Sequence, residues 1–135
     1  MSHTTVTHDL VTLAAALGHH LVTYALPNPF QVDLSVRNNK KFDHEITVTI
    51  NTASLAETAT QLLHWNNTLH KSLPTLTGDT EYKSPQITIS GNIADKITLY
   101  VTATLAADIV EEYRDRTITD TAVITWLRDA ARGSK

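Results

Sequence analysis

Ile97-Thr98-Leu99-Tyr100-Val101-Thr102-Ala103-Thr104-Leu105 is the stretch whose reading decides the fold. Apolar residues at 97, 99, 101, 103 and 105 alternate with Thr98, Tyr100, Thr102 and Thr104. Successive side chains of a strand point to opposite faces, so this pattern predicts a strand with one buried and one wet face. Upstream, Ile87 and Ile89 alternate with Gln86, Thr88 and Ser90, and Gly91-Asn92 reads as the turn of a hairpin.

An earlier pair repeats the arrangement. Phe30, Val32, Leu34 and Val36 alternate with Gln31, Asp33 and Ser35. After the polar run Arg37-Asn38-Asn39-Lys40-Lys41, Ile46, Val48 and Ile50 alternate with Thr47 and Thr49. Two such strands around a short polar connection predict a second hairpin.

Helical periodicity fills the spaces between. Leu10, Leu13, Ala14, Leu17, Leu21 and Tyr24 recur at three- and four-residue spacing behind Asp9, a residue suited to capping a first turn. Pro27 and Pro29 end that helix. Ser54 and Glu57 have the spacing of a capping box ahead of Leu55, Ala59, Leu62 and Leu63. A short helix around Ile109, Val110 and Tyr113 and a last one capped by Asp120 close the chain. The reading is one α+β domain over residues 1–135, a four-stranded antiparallel sheet with helices packed on one face, in the order αββ-αββ-αα. Residues 1–8 are expected to be a flexible arm and residues 71–84 a long loop.

The bulk composition is that of a globular chain. Of the 135 residues 41% are hydrophobic and 19% charged, which excludes an intrinsically disordered class. No apolar run reaches the ~18 residues of a membrane span, and the start lacks the pattern of a secretory signal. With no cysteine, thiolate nucleophiles, disulfides and cysteine-held metals are excluded. These features favour a cytoplasmic address with no membrane partner. The net charge of −3 argues against a generic polyanion binder.

A search for chemistry gives little. No Gly-x-Ser-x-Gly elbow, His-Glu-x-x-His, Walker loop or Gly-x-Gly-x-x-Gly occurs, so no catalytic residue, cofactor or metal ligand is assigned. Seven histidines invite a metal reading. His19 and His20 diverge by about 100° on a helix, and His64 and His70 are not at ligand spacing. His44 beside Asp43 and Glu45 is conceivable as a weak metal site, yet neighbouring strand residues face opposite sides. Asp108, Glu111 and Glu112 suit a solvated helix side balanced by Arg114 and Arg116 better than a cation site. Arg37, Asn39, Lys40 and Lys41 at the first hairpin tip could touch nucleic acid, and Ile118-Thr119-Asp120 could form a helix-turn-helix corner. Trp65, Tyr100 and Thr102 are the residues expected to meet a protein partner. Tryptophan is enriched at binding hot spots, and the polar sheet face suits a self-complementary contact.

The segments 10–17, Leu26-Pro27-Asn28-Pro29-Phe30 and 121–127 resemble stretches of small uncharacterised proteins of actinobacteria, their phages and integrated elements. The resemblance implies a phage or mobile-element context and supplies no activity or site residue. The expectation is therefore a non-enzymatic interaction module that binds a protein partner or itself, the latter as a homodimer. The alternatives are nucleic-acid binding through the Arg37–Lys41 tip and a small metal-dependent enzyme built on histidines and carboxylates.

Overall fold

The alternation at 97–105 forms the central strand. A computed structural model describes residues 2–37, 44–81, 83–94 and 96–133, with side chains described from Leu10 onward. Ile97–Thr104 is strand β5, and its inward residues Leu99 and Val101 are wholly buried. The remaining strands are β1 (Gln31–Ser35), β2 (His44–Thr49), β3 (His70–Thr77), β4 (Gln86–Ala94) and β6 (Thr117–Thr119). The helices are α1 (Ser2–Thr23), α2 (Leu55–Thr68) and α3 (Thr121–Ala131), with a 3₁₀ segment at Ala107–Tyr113.

The sheet corrects the expectation of four antiparallel strands. Six strands run in the order β1-β2-β5-β4-β3-β6. Both expected hairpins form, β1 with β2 and β4 with β5. They meet along a parallel seam in which His44 pairs with Ile97 and Thr49 with Thr102. The α2 crossover makes this possible, since parallel neighbours cannot be joined by a tight turn.

Strand β3 lies where a long loop was expected. Only Pro74 and Leu76 turn inward there, and a proline in a strand argues against one. Pro74 is tolerated because β6 pairs only with Thr75 through Thr77, so no ladder partner needs the missing amide. The Asp120 amide instead donates to the Pro74 carbonyl at 2.9 Å. Gly91 is a strand residue and not a turn. A Cβ there would stand 2.8 Å from the Leu69 Cβ, so glycine admits the chain entering β3. The turn falls instead between Ala94 and Ile97, where Lys96 has φ 64°.

The helix boundaries also move. α1 begins at Ser2, so residues 2–8, expected as an arm, lie within the helix, and Asp9 is interior to it. Ser54 caps α2 by accepting from the Glu57 amide at 3.1 Å, while the Ser54 amide donates to Thr52 Oγ1 instead of closing the reciprocal half of the box. Asp120 precedes α3 with φ 56° and makes no side-chain cap bond. The expected short helix is 3₁₀ and broken at buried Val110.

All three helices pack on one sheet face. Leu13 and Leu17 from α1, Leu62 and Trp65 from α2, and Val123 and Leu127 from α3 join one core with the inward sheet residues Ile46, Val48, Leu76, Ile87 and Ile89. Burial of each such side chain is worth about 1.5–3 kcal/mol. The exposed ion pair Arg132–Asp129, at 3.0 Å, contributes about 0–1 kcal/mol. Apolar packing therefore holds the fold. The opposite face carries Thr47, Thr49, Thr75, Thr88, Ser90, Thr98, Tyr100 and Thr102. None of the three helices covers it. No helix among the described residues is long and apolar enough to cross a membrane.

Candidate functional site: two sheet edges and a buried histidine

Of the described residues marked out in the sequence, Tyr100 and Thr102 lie together and Trp65 does not join them. Trp65 has no exposed surface and lies in the core. Contact through it would require the helical layer to open. Its place follows from α2, where residues 58, 59, 62 and 65 are all buried at helical spacing. Tyr100 and Thr102 stand side by side on the open face of β5, opposite Thr47 and Thr49 of β2 and Ser90 and Thr88 of β4. Thr88 donates to the Thr102 hydroxyl at 3.4 Å.

Arg37 is tied down. Its guanidinium meets Glu45 at 2.6 Å, and its amide donates to His44 Nδ1 at 2.9 Å. Asn39, Lys40, Lys41 and Asp43 lie outside the described residues, as do the side chains of His3 and His8. The His44–Asp43–Glu45 cluster thus has two described members. Among the described residues no group of three His, Asp or Glu side chains could hold a metal. Thr117–Thr119 is a strand, so α3 follows β6 and not another helix, which removes the helix-turn-helix corner. Arg114 pairs with Asp79 at 3.4 Å and Arg116 lies over the Tyr113 ring at 5.9 Å, so neither salt-bridges Glu111 or Glu112.

One histidine is built into the structure. His20, 6% exposed, stacks on Trp65 with ring centroids 5.8 Å apart and lies 4.8 Å from the Tyr24 ring. Its Nε2 is 2.8 Å from Thr68 Oγ1, and the Thr68 hydroxyl lies 2.8 Å from the Trp65 carbonyl. A hydroxyl has one hydrogen to donate. With that hydrogen on Trp65, Thr68 accepts from His20, which fixes the neutral ring as the Nε2–H tautomer. Burial, and secondarily the neighbouring His19, hold the His20 pKa below the usual imidazole value.

The two edges of the sheet differ. β6 has three residues and leads directly into α3. β1 has five, with no strand beyond it among the described residues, no proline and no lysine. Two apolar side chains fail to bury here, Val32 within the strand at 36% exposed and Phe30 just before it at 65%. Six of the eight large hydrophobics exposed among the described residues fall between positions 10 and 32, in α1, β1 and the link between them. α1 packs beside β1. This concentration was hidden in the sequence, because the alternation at 30–36 says which face of β1 is apolar and not whether a helix covers it.

The fold and its surfaces define an α+β domain of a six-stranded mixed sheet with one helical layer. No family model, curated protein or solved structure matches the chain.

Proposed function

We propose that this protein is a non-enzymatic interaction module whose contact surface is the β1 edge, and that a second copy of the chain occupies it. The observation that carries the reading is an edge strand flanked by exposed apolar side chains, while in the other described strands Leu73 alone among the large hydrophobics is exposed.

Self-pairing is favoured by the order of side chains in β1. An antiparallel second copy centred on Val32 sets Val32 against Val32, Phe30 against Leu34 and Gln31 against Asp33. The apolar pairs fall on the helical face and the polar pair on the open face. Gln31 already donates to Asp33 at 3.1 Å within the strand, so the amide and carboxylate are matched in reach. Association in this register continues the sheet across both copies and buries the exposed flank of α1. The nucleic-acid alternative has weaker support, since Arg37 is engaged by Glu45.

The test is sedimentation across a concentration series of the wild type and of Val32→Lys, a change that places a charge at the centre of the contact. Expected are a dimer in the wild type and a monomer in the variant. A wild type that stays monomeric throughout overturns the reading.

A further inference from the structure

The end of the sheet that carries the first hairpin tip, where the His44 amide donates to the Lys96 carbonyl at 2.9 Å, has a different feature. A cleft of about 520 Å³ opens where the last turn of α1, the end of α2, the start of β3 and the β4–β5 turn meet. We propose that this cleft binds a phosphate monoester with an aromatic body, the phosphate held by Lys71 and Lys96 beside His70 and the ring laid on Tyr24. The site is separate from the β1 edge and independent of self-association.

Among the described residues the charged side chains that line the cleft are of one sign. Lys71, Lys96 and His70 line it, and no carboxylate does so among the described residues. Neither lysine enters an ion pair among those residues. Two ammonium groups, one from β3 and one from the β4–β5 turn, suit a ligand carrying close to two negative charges, which a phosphate monoester has near neutral pH and a carboxylate does not. Lysine serves phosphate as a compact point charge.

The backbone is bent to bring them there. Lys71 and Lys96 have φ 54° and 64°, a left-handed geometry that costs any residue with a Cβ. The ladder slips between His70 and Leu73 on β3 and between Asn92 and Ala94 on β4, and His70 pairs with Asn92, so the two irregularities adjoin. Bulges of this kind re-aim side chains at the end of a sheet. Glycine at either position would have removed the strain, yet the chain places a lysine at both. Ala25, Asp115 and Asp120 share this geometry, but Lys71 and Lys96 are the two that line one cavity, and strain gathered there supports a site.

The rest of the cleft suits an organic body. Its volume is that of a small-molecule pocket and far exceeds a bare ion. Tyr24, 45% exposed, offers a ring face, while Ile93 and Ala94 supply apolar wall. The His20–Thr68 bond forms a fixed polar floor.

Titration calorimetry of the full chain with adenosine 5′-monophosphate, adenosine and inorganic phosphate tests the assignment. The monophosphate is expected to saturate at about millimolar or lower concentration, and the two fragments to bind at least about tenfold more weakly. The double variant Lys71→Gly/Lys96→Gly should weaken binding at least about tenfold. It should melt at or above the wild-type temperature, because glycine accepts the left-handed backbone. Lys71→Asn/Lys96→Asn, which also tolerates that geometry, provides a second neutral pair. Absence of saturable monophosphate binding overturns the proposal, as does binding undiminished in both folded double variants. Inorganic phosphate binding as tightly as the monophosphate overturns the role assigned to the ring.

Discussion

The β6 and β1 edges of one sheet solve the same problem in opposite ways. An edge strand exposes unpaired amides and carbonyls and invites another chain. At β6 the strand is three residues long, and the Asp120 amide, just past its end, bonds back to Pro74 before α3 begins. Gly78 lets the turn after the 3₁₀ segment press onto the end of β3, since a Cβ there would overlap the Tyr113 carbonyl. At β1 the strand is longer, its neighbour α1 leaves Leu10, Val11 and Val22 in solvent, and the only charge within it is Asp33. The short edge packs against the core through half-buried Ile118. The open one is left for association.

The largest effect expected from breaking this contrast is on the closed side. Leu76, wholly buried in β3 beneath the helical layer, should cost about 2–5 kcal/mol when changed to alanine, read by urea unfolding. Val32→Ala on the open side should stay within about 0.5 kcal/mol in a monomeric sample. Equal losses at the two positions would abolish the distinction. Ser54→Ala removes the side-chain cap of α2, which packs on the strands between the two edges, and should cost about 1 kcal/mol.

Acid acts through α1, the helix beside the open edge. Burial holds His20 below its ordinary pKa, so the unfolded chain takes up the proton more readily. The stability contributed by the neutral ring is complete above about pH 6.5 and is lost as pH falls through the lower folded value. Thermal melts from about pH 7.5 to about pH 5 should show the decline, and His20→Gln should flatten it. Arg37→Ala should cost only about 0.2–1 kcal/mol, because the Arg37–Glu45 pair is solvent-screened. Smallest of all, Tyr100→Ala should leave the concentration dependence of sedimentation unchanged, because β2 separates β5 from the edge.

Individual elements were readable in the sequence where one signal dominated. The alternation from Ile97 and the Ser54–Glu57 spacing both produced the expected local structure. The strand 70–77 escaped notice because His70, Lys71 and Ser72 carry no alternation and Pro74 argues against a strand. β6 is too short for periodicity to register. Strand partners are not written in a pattern of period two at all, so the parallel seam between β2 and β5 could not be read from either hairpin. The same holds for the cleft. His20 and His70 line one cavity from different elements, and the only local hint was a pair of lysines at strand ends. Trp65 was visible as a residue, but its neighbours in α2 decide that it faces inward.

The parallel seam also sets an order of events in time. On the ribosome β1 and β2 emerge early and can form their hairpin, but the strand that β2 needs on its other side begins only at Ile97. Until then one side of β2, ladder and core residues alike, has no neighbour, and the sheet cannot close around Ile46 and Val48. Such non-local pairing slows folding and prolongs the exposure of apolar surface. A chain released before β5 is made would leave the first hairpin without its central strand, so synthesis must pass that point before the fold can begin to hold.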